Sequence, residues 1–216
     1  GGSNDGTSRI LEQYKDHIDI TLIEKDKGIY DAMNKGAAIS KGDYIMFLNS
    51  DDILYSKNTI ENIIKVIKNN NNDIQTLYGN IEYYKDFKSK PVRFWISGEF
   101  SKIKFYLGWH PPHPGLLVKR TVFAKLRGFN TKYRIASDYN FIFKMFKNPD
   151  LRSRYLDFFV VKMRLGGASN STKGILEGLK ELISIYKNAK YSNIRIFFTL
   201  TFRYFIKVSQ LKFYTK

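Results

Sequence analysis

The chain has 216 residues, with 36 Lys+Arg against 20 Asp+Glu and a formal charge of +16, enough length for one domain with a sizeable core. Hydrophobic residues at 43% and aromatics at 16% exclude wholesale disorder, and the lack of cysteine removes disulfides, thiolate zinc sites and cysteine nucleophiles together. No apolar run reaches the roughly 18 residues of a membrane span, so the charge leaves nucleic acid, an anionic membrane surface or a phosphate-bearing substrate as partners.

In chain order, Gly1-Gly2-Ser3-Asn4-Asp5-Gly6 reads as a polar turn rather than a signal peptide. From Thr7 the spacing of Ile10, Leu11 and Tyr14 predicts a helix with one apolar face. Ile18 to Glu24 alternates and predicts a short strand, closed by Lys25-Asp26-Lys27-Gly28, and a second helix follows over Tyr30 to Ile39. Tyr44 to Leu48 is a continuous apolar run, expected of a strand buried on both faces of a parallel sheet. Ile60, Ile63, Ile64 and Ile67 mark an amphipathic helix that ends in the polar turn Asn69 to Asn72. Strands are predicted over Ile74 to Tyr84, Val92 to Ile96 and Tyr155 to Met163, and helices over Lys119 to Leu126, Asp138 to Lys147 and from Ser171 onward. Helix alternating with strand over the first 80 residues is the pattern of an α/β sheet with crossover helices.

Open α/β sheets bind ligands beyond the carboxyl ends of their strands, where Asn49-Ser50-Asp51-Asp52 lies. Two adjacent carboxylates there suit Mg²⁺ or Mn²⁺, which prefer oxygen ligands and keep positions open for phosphate oxygens; a helix N-cap is the plainer reading of the same residues. In Glu24-Lys25-Asp26-Lys27-Gly28-Ile29-Tyr30-Asp31-Ala32-Met33-Asn34-Lys35-Gly36, Gly28 opens a helix whose first amides can approach a phosphate, with Asn34 and Lys35 one turn further in.

Together these segments resemble the nucleotide-sugar half of family 2 glycosyltransferases, the GT-A nucleotide-diphospho-sugar transferases. The shared marks are a Gly-Ser-x-Asp-Gly-Thr turn, a Gly-Ile-Tyr-Asp-Ala-Met-Asn-Lys-Gly segment and a Gly-Asp-apolar strand ending in Asn-Ser-Asp-Asp, all in order. Downstream, His113-Pro114-Gly115 begins a strand, Gly128-Phe129-Asn130 followed by Tyr133-Arg134-Ile135-Ala136-Ser137-Asp138-Tyr139 resembles the acceptor-side segment, and Gly166 to Asn170 resembles the family's later Gly-Gly-x-Ser turn. The resemblance implies a GT-A type, Rossmann-like mixed sheet flanked by helices. It also implies that the family's first strand and helix, a unit of roughly 30 residues, belong before Gly1, so that the chain reads as N-terminally truncated.

As what the resemblance implies, the protein is an inverting glycosyltransferase. It would move a sugar from a nucleotide-diphospho-sugar, UDP-linked by expectation, to a glycan or lipid-linked acceptor in bacterial surface polysaccharide biosynthesis. Asp138 is the candidate base, with capping of its own helix as the competing role. Asp52, with Asp51, would hold Mg²⁺ or Mn²⁺ at the diphosphate, and Asp51 would also face the donor. Asp5, Asp26, Gly28, Asn34 and Lys35 would line the nucleotide-sugar pocket; turn formation by Asp5 and an ion pair of Asp26 with Lys27 are the alternatives. Trp109 and His113, around the rigid His110-Pro111-Pro112-His113 stretch, are expected on the acceptor side.

Residues 1–185 are expected to form the transferase domain and 186–216 a basic, aromatic helical tail. That tail holds Lys187, Lys190, Arg195, Arg203, Lys207, Lys212 and Lys216 with no acidic residue. Such a helix predicts peripheral attachment to a membrane surface, placing the protein in the cytoplasm on the inner face of the plasma membrane; packing on its own domain is the alternative. A nucleic-acid binder has no helix-turn-helix, zinc-finger or RNA-recognition signature to support it, so nucleic acid is not expected as a partner. A non-catalytic relative is the remaining alternative.

Overall fold

The computed structural model describes residues 1–70, 73–166 and 171–212. The expected Gly166–Asn170 turn, the Asn69–Asn72 turn and the last residues of the tail fall partly outside them. Helix α1 (Thr7–Gln13) is followed by extended chain, then α2 (Ile29–Ile39), β1 (Tyr44–Met46), β2 (Ile53–Leu54), α3 (Thr59–Asn69), β3 (Thr76–Tyr84) and β4 (Arg93–Trp95). The chain continues through α4 (Lys102–Tyr106), β5 (Leu116–Lys119), α5 (Arg120–Lys125), α6 (Ser137–Lys147), β6 (Ser153–Arg164), α7 (Thr172–Asn188) and α8 (Asn193–Lys212).

One mixed six-stranded sheet runs β1-β5-β3-β6-β2, with β4 beside β3. Strand β3 is its axis. Along one side it pairs in parallel with β6, and along the other it is antiparallel first to β5 (Leu77 opposite Leu117) and then to β4 (Ile81 opposite Trp95). All nine of its residues are buried. Its period of two sends Leu77, Ile81 and Tyr83 to a core shared with Ile63 of α3, while Tyr78 enters the opposite core with Phe141, Met145, Phe146 and Tyr186. Gly79 lets β6 come close: a Cβ there would lie 2.4 Å from Val160 Cγ2. Helix α6 has eight of its eleven residues buried, so it reads as a helix buried on nearly every side, which the aromatic sequence Tyr139-Asn140-Phe141-Ile142-Phe143 permits.

Two expectations are corrected. Ile18 to Glu24 is extended but pairs with no strand among the described residues, and Ile20, Leu22 and Ile23 remain 40%, 43% and 55% exposed. An alternating pattern makes a strand only where a partner supplies the ladder and the covered face. The helix expected from Thr7 forms as α1, with none of its residues buried and Leu11 half-buried. The apolar run at 44–48 is not a doubly covered parallel strand. β1 is an edge strand, antiparallel to β5 alone, with only Ile45 buried.

The boundary expected at residue 185 falls inside α7, where Ile185 and Tyr186 are buried in the core. Helix α8 packs back on the domain through Ile196 and Thr199. Two of its arginines stack on tyrosine rings, Arg195 remaining exposed and Arg203 half-buried. The Arg195 guanidinium lies 3.7 Å from the Tyr191 ring centroid and that of Arg203 4.1 Å from Tyr139, with Arg203 Nη1 donating to Gly108 O at 3.1 Å. Each such contact contributes roughly 0.5–2 kcal/mol, favouring cations turned onto the aromatic body. No helix of the described residues is long and apolar enough to cross a membrane.

Candidate active site

Helix α2 brings the first half of the site to the second. Tyr30 and Asn34 lie four residues apart and therefore on one face. The Asn34 amide closes two 2.8 Å hydrogen bonds on Phe129, donating to its carbonyl and accepting from its N–H. Gly128, at φ +58°, supplies the turn that presents Phe129, and a Cβ on it would sit 2.5 Å from Asn34 Oδ1. Tyr30 packs on the Phe129 ring at 5.3 Å, and its hydroxyl lies 2.8 Å from Ile135 O and 3.0 Å from Asp138 Oδ1. Burial, with the Asp138 charge beside it, holds the Tyr30 hydroxyl far above its ordinary pKa, so it stays protonated and can donate.

Asp138 stands in the first turn of α6 and accepts from the Tyr139 N–H at 2.7 Å. Close to it, His113 is packed between Phe47 and Phe129, with Nε2 buried and without a hydrogen-bond partner among the described residues. Burial lowers the His113 pKa, against a smaller upward pull from Asp138, so the ring is neutral at pH 7. His110 is depressed further, by burial first and the Arg203 charge second.

At the end of β1, Asp52 is buried. Its Oδ2 accepts from Asn49 Nδ2 at 2.8 Å and its Oδ1 from the Arg164 N–H at 3.2 Å. Burial raises its pKa, the two hydrogen bonds pull it back, and Asp51 adds a small upward push. Asp51 is exposed. Tyr83, on β3, is buried under the Arg93 guanidinium; burial raises its hydroxyl to about 12, against a downward pull from Arg93.

The remaining donor-side residues form a separate group. Asp26 Oδ1 accepts from the Gly28 N–H at 2.9 Å, setting up the positive-φ turn (φ +123°) that starts α2. Lys35 is paired with Glu24 at 2.7 Å and Asp31 at 3.1 Å and donates to Lys25 O, so its cation is already neutralised. Asp26 and Lys35 line an open cleft of about 940 Å³ that also includes Ile20, Leu22 and Ile39; Asp52, His113 and Asp138 are not among its lining residues. Asp5 is exposed, and its Oδ1 takes the Thr7 hydroxyl at 2.6 Å, which lowers its pKa.

The structure thus brings Tyr30, Asn34, His113 and Asp138 together and leaves Asp5, Asp26 and Lys35 on a neighbouring surface. Trp109 is corrected: it is a core residue, 6% exposed, with its indole N–H donating to Ser97 O at 2.7 Å and its ring edge-on to Tyr78 and Phe146, so no sugar face can stack on it. Sequence reasoning missed Tyr83 and Glu181. Glu181 accepts from the backbone N–H groups of Arg134, Ile135 and Ala136 at 2.7, 3.0 and 2.7 Å, and nothing local in its helical surroundings signals this.

No group of three His, Asp or Glu that could hold a metal occurs among the described residues. Asp51 and Asp52 therefore do not make an all-protein cage. They fit a hard cation that arrives with phosphate oxygens, because such an ion needs only one or two carboxylates and keeps its remaining positions for substrate and water.

The mixed sheet flanked by helices, with acidic residues at the end of β1, is an α/β sheet of the GT-A type. The description "Glycosyl transferase family 2" matches residues 1–147, and the chain belongs to that family. A curated relative, a PGL/p-HBAD biosynthesis glycosyltransferase of Mycobacterium tuberculosis, is 29% identical over 175 residues, 79% of this chain and 66% of its own length. The chain thus spans just under two thirds of that relative. Among solved structures, Staphylococcus aureus TarS 1–349 in complex with UDP-GlcNAc is similar at TM-score 0.64 and 16% identity, over 85% of this chain and 54% of that one. The mannosyltransferase PcManGT from Pyrobaculum calidifontis, in complex with GDP-Man and Mn²⁺, is similar at TM-score 0.55 and 12% identity, over 94% and 58%.

Proposed function

We propose that this chain carries the sugar-transfer site of an inverting glycosyltransferase, taking a glycosyl group from a nucleotide-diphospho-sugar, UDP-linked, to a glycan or lipid-linked acceptor in surface polysaccharide synthesis. The observation that carries the reading is the docking of α2, which bears the family's Gly28-to-Gly36 segment, against Asp138 through Tyr30. Asp138 takes the proton of the acceptor hydroxyl. The freed oxygen attacks the anomeric carbon from the face opposite the diphosphate, and the bond from that carbon to the phosphate oxygen breaks, its electron pair leaving with the nucleoside diphosphate. Positive charge developing on the sugar makes the transition state oxocarbenium-like, as in glycoside hydrolysis. Neutral His113, with its free Nε2 beside Asp138, is placed to hydrogen-bond the acceptor. Asp52 and Asp51 would hold Mg²⁺ or Mn²⁺, which would offset the charge gathering on the departing diphosphate. Gly28, Asp26, Asn34, Lys35 and Asp5 shape the donor side, with Asn34 acting through the turn at Phe129.

The tail's contact with a membrane, on the cytoplasmic face, rests in this reading on the uncharged outer face of α8. Ile194, Phe197, Phe198 and Phe205 there are 72%, 66%, 61% and 61% exposed, an apolar stripe suited to insertion at headgroup depth. Calorimetric titration of UDP and UDP-GlcNAc with and without Mn²⁺ tests the donor assignment. Metal-dependent binding that is lost in Asp52→Asn is expected, and binding indifferent to both metal and Asp52 would overturn it.

A further inference from the structure

We propose that Tyr30 and Glu181 are positioning residues that aim Asp138, together gripping the segment 134–138 from its two sides; the inference rests on the reading of Asp138 as the base. Tyr30 comes from α2, at 2.8 Å from Ile135 O and 3.0 Å from Asp138 Oδ1. Glu181 comes from α7, its two carboxylate oxygens accepting the consecutive amides of Arg134, Ile135 and Ala136. Gly178, one turn before Glu181, allows that approach: a Cβ there would meet Ile135 Cγ2 at 3.1 Å. The carboxylate of Glu181 thus fixes the backbone, and the Tyr30 hydroxyl fixes the side chain that the backbone presents. The hydroxyl has one proton and two acceptors, so Asp138 receives it when ionised, and Ile135 O takes it when Asp138 has accepted a proton. A base held this way keeps its orientation in both protonation states.

The charged and titratable groups facing Asp138 and Tyr30 are His113 before β5, Tyr83 from β3 and Glu181 from α7. Tyr30→Phe keeps the ring on Phe129 and removes only the donor to Asp138. UDP release from UDP-GlcNAc is expected to fall roughly tenfold at unchanged donor KM. In Glu181→Gln, hydrogen exchange at the 134–136 amides is expected to accelerate at least about tenfold, with a similar loss in turnover and an unchanged donor KM. Turnover within about twofold of wild type in Tyr30→Phe, or a raised donor KM, overturns the role of Tyr30, and unchanged exchange in Glu181→Gln overturns that of Glu181. Asp138→Asn separates the two levels. If it still turns over, the base assignment fails; if it is dead while Tyr30→Phe and Glu181→Gln behave as wild type, only the positioning roles fail.

Discussion

Asn34 lies in the segment that sequence resemblance assigns to the donor, yet its amide is engaged with Phe129 on both sides. Asn34→Ala would leave a backbone N–H and C=O without partners in a residue that is 3% exposed. Each such loss costs about 1–3 kcal/mol, so about 2–6 kcal/mol in all, and at roughly 2–4 °C per kcal/mol for a chain of this size Tm should fall by about 4–24 °C. The assay is thermal unfolding by circular dichroism, alongside calorimetric titration of UDP-GlcNAc. Gly128→Ala attacks the same clamp from the other partner, since its Cβ would stand 2.5 Å from Asn34 Oδ1; combined with Asn34→Ala its cost should be less than additive, because that clash is gone. A Tm change below about 2 °C for Asn34→Ala, with a large loss of nucleotide affinity, would refute the clamp and put the amide at the donor.

Other outcomes follow from the same contacts. Gly79→Ala forces a Cβ to 2.4 Å from Val160 Cγ2 and 3.0 Å from Phe158 O between the two central strands, so a loss of about 1–3 kcal/mol is expected in urea unfolding. Asp52 has a raised pKa, from burial first; its contribution to stability is full below its unfolded pKa and is lost as pH rises through its folded value. Urea unfolding from pH 3 to 7 should therefore show the wild type losing stability relative to Asp52→Asn as pH rises, and a difference independent of pH would contradict the raised value. Phe198→Glu, on the outer face of α8, should cut co-sedimentation with anionic lipid vesicles roughly tenfold or more while leaving Tm nearly unchanged.

Much of this was legible in the sequence, and what was not has physical causes. Strands β3 and β6 and helices α2, α3 and α6 were readable because each buries a face whose period survives in the residues themselves. Ile18 to Glu24 misled because alternation reports a potential strand, and the ladder that completes one comes from elsewhere in the molecule. Arg195 and Arg203 were legible as members of a basic tail; only the fold shows Tyr191 and Tyr139 beneath them. Trp109 was placed by its histidine neighbours, although its surroundings are set by Tyr78, Phe100 and Phe146 from distant segments. At the site, the short-range marks at Asp51-Asp52 and Ser137-Asp138 were visible. The long-range partners, Tyr30 on Asp138 across 108 positions and Glu181 on Ala136 across 45, carry no local pattern.

The central claim is that Asp138 removes the acceptor proton as the acceptor oxygen attacks the bound donor. Its most direct test is release of UDP from UDP-GlcNAc by the wild type and by Asp138→Asn, with donor affinity measured calorimetrically on both. Turnover falling by about 10²–10⁴ at unchanged donor affinity is the expected result. Equal turnover in the two proteins would contradict it.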